Sequence, residues 1–246
     1  MKTKLTLAIV TIMLLSINTF AQTFWADSKD GRNQAAFISD APLEKINGLA
    51  SGINATVMIN PNDITQKPMG KVIVPIGNIK TGIDLRDEHL RSEMWLNAEK
   101  YPNAEFQLMG IKNPSSKSLN DGQKVNATLL GKFTVHGKTR DVEVPATLTY
   151  FKESEKTKAR VPGNLLIASA NFNIKLADYG VMIPDMVVGK VNDEVQINVN
   201  FVSSDKNAGG DNPCGANPCS MDKGKCNPCS MKDMKKVQCN PCSMKK

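Results

Sequence analysis

Two parts of the sequence combine residue types that could do chemistry. The first is residues 81–92, TGIDLRDEHLRS, which place five charged side chains around His89, one of only two histidines in the chain. Asp87 or Glu88 beside this histidine could act as a general base. The segment lacks a nucleophile motif, a phosphate loop and the second histidine of a zinc-protease helix, so enzyme chemistry is the less favoured interpretation.

A structural interpretation accounts for the same residues. A helix that begins near Asp84 would use this residue as its N-cap and would place Asp87 and Glu88 in its first turn, where the helix dipole favours anions. Arg86 and Arg91 could pair with neighbouring carboxylates. We therefore expect the segment to hold a helix in place, and we expect no enzyme activity.

The second such part is the tail, residues 206–246, which contains all six cysteines. The unit NPCSM occurs three times, at 217–221, 227–231 and 240–244. Thiolates spaced as Cys-x-x-Cys, with thioethers beside them, favour Cu(I), with Zn(II) or Cd(II) as alternatives. Disulfides, coupling to another chain and an extension without a ligand are the other interpretations that the sequence leaves open. The predicted metal ligands are Cys214, Cys219, Cys226, Cys229, Cys239, Cys242, Met221, Met231 and Met244.

The N-terminus has the pattern of a secretory signal. Lys2 and Lys4 precede an apolar run over 5–17, and small residues follow up to Ala21, where cleavage is expected. The apolar run is short for a bilayer span, which makes a membrane anchor the less favoured alternative. The sequence predicts an exported protein, periplasmic or extracellular, with no stable membrane anchor.

The charge of the chain is unevenly distributed. The body, residues 22–205, contains 21 basic and 21 acidic residues, whereas the tail contains eight lysines and three aspartates. A neutral body offers no basic surface for a nucleic acid, so no nucleic-acid partner is expected. The tail also lacks hydrophobic periodicity, and we predict that it is disordered.

The body alternates apolar and polar residues with the period of a β-strand. The predicted strands are 34–39, 53–60, 71–79, 104–112, 125–135, 142–150, 166–174 and 195–201. One helix is predicted from Asp84 to about Lys100, and a looser helical segment is predicted over 177–188. His136-Gly137-Lys138 fits a tight hairpin.

About eight antiparallel strands with turns between them predict an all-β barrel or sandwich with one inserted helix. An eight-stranded barrel is wide enough to be filled by side chains or to hold one narrow ligand. Small residues at positions predicted to face inward, such as Ala127, Gly131, Ala168 and Ala170, favour a cavity.

Three blocks of the body resemble the YceI family. They are VIVPIGNIKTGIDLRDEHLRSEMWLNAEKYPNAEF, GKFTVHGKTRDVEVPATLT, and DYGVMIPDMV followed by DEVQINVNF. In that family a strand leads to an R-D-x-H-L-R-S helix start and a Y-P-x-A-x-F return, and a later hairpin carries an H-G turn. The resemblance covers roughly residues 32–203, nearly the whole body.

The resemblance implies an extended, lipocalin-like, eight-stranded antiparallel barrel that is exported to the periplasm. It implies an apolar tunnel that holds a long polyisoprenoid chain, such as an isoprenoid quinone or a prenyl phosphate. A polar head group would need donors at the tunnel mouth. The residues assigned to this ligand site are Arg86, His89, Arg91, His136, Phe133 and Phe172.

The sequence thus predicts a non-enzymatic binding protein for an isoprenoid lipid or a similar amphiphile, with a soft-metal site in its tail. The expected organisation is a signal over 1–21, a barrel over 22–205 and a tail over 206–246. The alternative is a metal-sequestering or thiol-redox protein that acts through the tail.

Overall fold

The computed structural model describes residues 21–206. The predicted signal and the predicted tail therefore lie outside the described residues, apart from Ala21 and Lys206. The strands are β1 Gln22–Ala26, β2 Gln34–Asp40, β3 Lys45–Ser51, β4 Asn54–Ile59, β5 Met69–Pro75, β6 Ile79–Lys80, β7 Asn103–Lys112, β8 Lys124–Val135, β9 Lys138–Phe151, β10 Leu165–Lys175 and β11 Glu194–Ser204. The helices are α1 Asp84–Arg91 and α2 Glu155–Lys158, and 3-10 turns occupy Ile76–Asn78, Leu176–Tyr179 and Asp185–Val187.

The eleven strands occupy eight positions around one closed antiparallel barrel, because three of the positions are each shared by two short strands. β2 pairs with β11 along 195–200, and β1 pairs with the end of the same strand at Trp25–Ser204. In the same way β3 and β4 share one position, as do β5 and β6. Each position pairs with the next along the chain, and the last returns to the first. The predicted all-β, eight-stranded antiparallel barrel is confirmed.

The predicted alternation matches the pairing of the four longest strands, β8 to β11. Ala168 of β10 pairs with Leu148 of β9 and Phe201 of β11, so three apolar side chains share the inner face. On the outer face of the same strands, Asn173 donates a hydrogen bond to Glu194 at 2.7 Å. Period-two patterning therefore separates a dry interior from a wet exterior.

The predicted helix over residues 84–100 is wrong in length, because α1 ends at Arg91. Ser92 has extended backbone, and Asn97 has a left-handed φ of 47°. The Asn97 amide donates to the Ser92 carbonyl at 2.8 Å, so this stretch closes into turns. The N-cap prediction is also wrong, because Ile83 occupies that position and Asp84 is the first helical residue. The looser segment over 177–188 contains only 3-10 turns.

The tight hairpin between β8 and β9 is confirmed, with His136 and Gly137 as its two central residues. Val135 pairs with Lys138, and the two residues between them have φ values of 50° and 70°. Two consecutive positive φ values match the primed turns that suit the twist of paired strands, and a glycine adopts such a φ without strain.

The two ends of the barrel differ. One end is filled by a core in which Phe24 meets Tyr150 edge-on at 6.2 Å and Ile64 is fully buried. Hydrogen bonds from the amides of Ile64 and Leu119 to the carbonyls of Lys117 and Pro61 hold two loops across this end. We call it the closed end. The opposite end, formed by residues 41–44, 81–102 and 176–193, is the open end.

Candidate functional site

An apolar cavity of about 470 Å³ occupies the barrel interior. This volume lies within the range of roughly 300–1,000 Å³ found for small-molecule sites. Inward side chains of β10 and β11 form much of its wall; they are Leu166, Ala168, Ala170, Phe172, Ile174, Val195, Ile197, Val199 and Phe201. The interior is therefore open for part of its length and is not filled by side chains throughout.

The cavity is deep. Its lining follows β10 from Leu166 to Ile174, which are eight residue steps apart on one strand. At a rise of about 3.3 Å per residue this is about 26 Å of strand, or about 20 Å along the axis for strands tilted by about 40°. The hydrocarbon core of a bilayer is about 30 Å thick, so the depth exceeds that of one leaflet. An extended chain fits this shape better than a compact ring system.

Small residues provide the space. Alanines line the cavity at Ala35, Ala50, Ala146, Ala168 and Ala170. Opposite one another on β2 and β3, Phe37 and Gly48 also line it. A Cβ atom on Gly48 would overlap the Phe37 ring, so the missing side chain allows this ring to lie against the wall.

Polar side chains are few in the cavity wall, and those of Glu44, Arg86, His89 and Lys190 lie in or next to the segments of the open end. Within the described residues, Lys190 has no ion-pair partner. This lysine was missed by sequence analysis, because it lies in an irregular segment without a repeating pattern.

Arg86 connects α1 to the turn before β3. Its Nη1 donates to the Glu44 carboxylate at 2.6 Å, its Nε donates to the Thr81 hydroxyl at 2.9 Å, and its Nη2 donates to the Thr81 carbonyl at 3.0 Å. Three bonds fix the guanidinium at the mouth. Glu44 was not predicted as a partner, since it lies 42 residues away in sequence.

Asp87 ties the same helix to Thr81. Its side chain is 1% exposed, and Oδ1 accepts hydrogen bonds from the Thr81 amide and hydroxyl, both at 2.7 Å. The hydroxyl bond is the main cause that lowers the pKa of the Asp87 carboxyl below its ordinary value, and the nearby Lys80 and Arg91 lower it further. Asp87 does not line the cavity, so its contacts support the structural interpretation of residues 81–92.

Four of the six residues assigned to the ligand site line the cavity: Arg86, His89, Phe133 and Phe172. The Phe133 and Phe172 rings meet edge-on at 5.4 Å, and Phe133 also meets Tyr179 edge-on at 5.6 Å. Phe133 and Phe172 thus form a section of the cavity wall, and Tyr179 packs against Phe133 behind it.

The other two, Arg91 and His136, are not among the lining residues. The Arg91 guanidinium lies 3.5 Å from the Ile79 carbonyl. His136 lies in the β8–β9 turn, where its Nδ1 donates to the Tyr179 carbonyl at 3.1 Å and its ring meets Tyr101 edge-on at 5.2 Å. His136 therefore supports the turn that follows β10.

Two further observations concern metals and membranes. Within residues 21–206, no group of three or more His, Cys, Asp or Glu side chains is placed to hold a metal ion. In the same range, neither helix has the length and apolar character to cross a bilayer. The predicted cysteine and methionine ligands lie outside these residues.

A closed eight-stranded up-and-down barrel around a deep apolar cavity defines a lipocalin-like barrel. The model of the YceI-like domain matches residues 27–203. The chain belongs to the YceI-like family, as the resemblance of its sequence blocks predicted.

Solved structures share this fold. BcnA of Burkholderia cenocepacia is 21% identical with a TM-score of 0.54, and the match covers 72% of this chain and 98% of that one. A polyisoprenoid-binding domain of Saccharophagus degradans implicated in plant cell wall breakdown is 11% identical with a TM-score of 0.56, covering 75% and 98%. A YceI protein of Campylobacter jejuni is 19% identical with a TM-score of 0.51, covering 66% and 86%. No curated protein sequence matches the chain significantly.

Proposed function

We propose that this protein binds a long isoprenoid lipid, or an amphiphile of similar shape, and holds it in the barrel cavity without converting it. The apolar cavity of about 470 Å³, open at one end and about 20 Å deep, carries this proposal. Each Å² of hydrocarbon removed from water contributes roughly 25 cal/mol, so a chain along the whole wall would be held firmly. The polyisoprenoid-binding domain of Saccharophagus degradans, which shares the fold, supports the choice of lipid.

The polar head of such a lipid belongs at the open end. The Arg86 guanidinium already donates hydrogen bonds to Glu44 and Thr81, so only its remaining N–H groups are available to the head group. His89 and Lys190 line the mouth and supply the remaining donors. A quinone oxygen or a phosphate is the kind of head that one imidazole and one ammonium group would bind.

A non-enzymatic role fits the chemistry of the wall. Two carboxylates could serve as a base beside His89. Asp87 is buried away from the cavity and is hydrogen-bonded to Thr81, and Glu88 does not line the cavity. Ser39 also lines the cavity, and its hydroxyl accepts a hydrogen bond from the backbone amide of Asn192 at 2.9 Å. We therefore expect the lipid to be recovered unchanged.

Organic extraction of the purified protein, followed by mass spectrometry, tests the proposal. We expect a long prenyl compound in an amount close to one per protein chain. The proposal is contradicted if protein that is purified without detergent and then supplied with isoprenoid quinone and prenyl phosphate yields no long-chain lipid on extraction. Steady conversion of either lipid into a product would contradict the non-enzymatic part alone.

The proposal also includes export of the protein and a role for the tail. The signal pattern up to Ala21 supports export of the barrel, residues 22–205, to the periplasm or the medium. The repeated CNPC pairs support the second candidate function, in which residues 206–246 take up Cu(I) or Zn(II) or undergo thiol-disulfide exchange.

A further inference from the structure

The exposed apolar side chains are concentrated at one end of the barrel. Of the ten large apolar residues that are exposed within residues 21–206, seven lie in the segments 41–44, 81–102 and 176–193. Their exposed fractions run from 52% for Ile83 to 83% for Met186. We call these seven the apolar rim: Leu43, Ile83, Leu85, Met94, Met182, Met186 and Val188.

The closed end provides the comparison within the same molecule. Its connections are residues 27–33, 60–68, 113–123 and 152–164, and none of the ten exposed apolar residues lies in them. A random scatter of surface apolar residues would not favour one end so strongly. The asymmetry therefore calls for a partner at the open end.

The apolar rim is continuous with the cavity. Ile83 and Leu85 belong to both, being exposed at the surface and lining the interior. The Leu43 amide donates to the Gly189 carbonyl at 2.9 Å, which joins the turn before β3 to the segment that contains Met186. The Arg86–Glu44 ion pair joins this turn to α1. Three segments thus meet at the open end, and the apolar surface connects the interior to the outside at Ile83 and Leu85.

The charges of the open end show which surface the rim fits. The three segments contain nine acidic and four basic residues. Lysines at the adjoining strand ends, such as Lys45 and Lys80, offset part of this difference. The end has no excess of positive charge, so it is not built to attract an anionic surface. Apolar side chains without an excess of positive charge suit the interface of a zwitterionic bilayer better than that of an anionic one.

We propose that the apolar rim docks the open end of the barrel on the surface of a zwitterionic lipid bilayer. Docked in this way, the mouth faces the hydrocarbon, and a prenyl chain moves between bilayer and cavity without crossing water. The inference rests on the proposed function, because it assumes that the cavity holds a membrane lipid. Binding comes from burial of the rim side chains and depends little on salt.

Flotation with phosphatidylcholine vesicles tests the proposal on the protein that lacks only residues 1–21. The rim variant carries Leu43→Gln, Met182→Gln and Met186→Gln, three exposed residues that do not line the cavity. The control variant carries Leu49→Gln, Met69→Gln and Met109→Gln, the three exposed apolar residues outside the rim. We expect the rim variant to bind vesicles about tenfold less than the wild type and the control variant to bind like the wild type.

Lipid extraction from all three proteins separates docking from cavity binding. The proposal holds if the rim variant retains its extracted lipid but loses vesicle binding and exchanges its lipid more slowly. It is overturned if the wild type retains lipid but does not bind phosphatidylcholine vesicles. That result would indicate that a protein partner covers the rim. It is also overturned if binding requires anionic lipid, or if both variants bind alike. If the protein binds the vesicles but no lipid can be extracted from it, the result instead contradicts the proposed function.

Discussion

Arg86 and Glu44, separated by 42 residues in sequence, form an ion pair at 2.6 Å across the mouth of the barrel. The pair connects α1 to the turn before β3, and the additional bonds from Arg86 to Thr81 tie the helix to the end of β6. The Arg86 guanidinium, with its three acceptor atoms, therefore holds the helix at the opening together with the Asp87–Thr81 hydrogen bonds.

Replacement of Arg86 by methionine is expected to loosen α1. The loss of three charge-assisted bonds, with Arg86 25% exposed, should lower the free energy of unfolding by about 1–2 kcal/mol. Glu44→Gln keeps the Thr81 bonds and should cost less than about 1 kcal/mol, since Glu44 is 40% exposed and its pair is screened by solvent. Urea unfolding followed by circular dichroism measures both values. Equal losses in the two variants would show that the Thr81 bonds contribute nothing.

The buried carboxylate of Asp87 should make stability depend on acid pH. The pKa of Asp87 in the folded protein is lowered from 3.8, mainly by the Thr81 hydroxyl, so its contribution is fully present above this value. The contribution is lost as the pH falls through the lowered pKa. We expect Asp87→Asn to lower the urea midpoint at pH 7 and to reduce the difference between the midpoints at pH 7 and pH 3.

A matched substitution in the same helix provides the control. Asp84 is exposed in the first turn of α1 and has no hydrogen bond from Thr81 within the described residues. Asp84→Asn should therefore change the midpoint at pH 7 much less than Asp87→Asn does. If the two variants have the same acid profile, the buried hydrogen bonds of Asp87 do not set the pH dependence.

The cysteine pairs of the tail are expected to bind Cu(I) under reducing conditions. Serine substitutions at Cys226, Cys229, Cys239 and Cys242 should remove most of this binding, because thiolates are the strongest soft ligands there. Competition with a colorimetric Cu(I) chelator measures the change. Ser230→Ala with Ser243→Ala, next to the same pairs, should leave binding unaltered.

The disulfide interpretation has its own measurement. Protein prepared without reductant and then denatured should show free thiols on titration if the cysteines hold a metal. Almost no free thiol, together with no Cu(I) uptake after reduction, would contradict metal binding by the tail.

The strand pattern was readable from the sequence because the barrel separates its two faces. One predicted segment falls in each of the eight barrel positions, since period-two alternation follows from one dry and one wet face. The segments that were missed, β1 and β3, show why this signal fails locally. β1 has only five residues, and β3 is interrupted by Asn47 and Gly48, which are poor strand formers.

The mouth could not be predicted to the same degree. Arg86 and His89 were found because they lie in a charged segment that has a recognisable helix start. Lys190 and Glu44 reach the same opening only through the closure of the barrel, which no local pattern records. His136 was a candidate for the ligand site by its chemistry and for the hairpin turn by its position; it lies in the turn, where it bonds to the Tyr179 carbonyl.

Blocking the cavity should remove the lipid while the barrel stays folded. Ala170 of β10 lines the cavity, whereas its neighbour Ser169 is exposed on the outer face. Because side chains alternate along a strand, Ala170→Phe places a ring in the path of the guest, and Ser169→Phe places the same ring in water. We expect extraction and mass spectrometry to recover less than about a tenth of the wild-type lipid from the first variant and a normal amount from the second. Thermal unfolding monitored on both proteins would verify that each is folded. Full lipid content in Ala170→Phe would show that the chain does not pass this point of the wall, and that the guest is held nearer to the mouth.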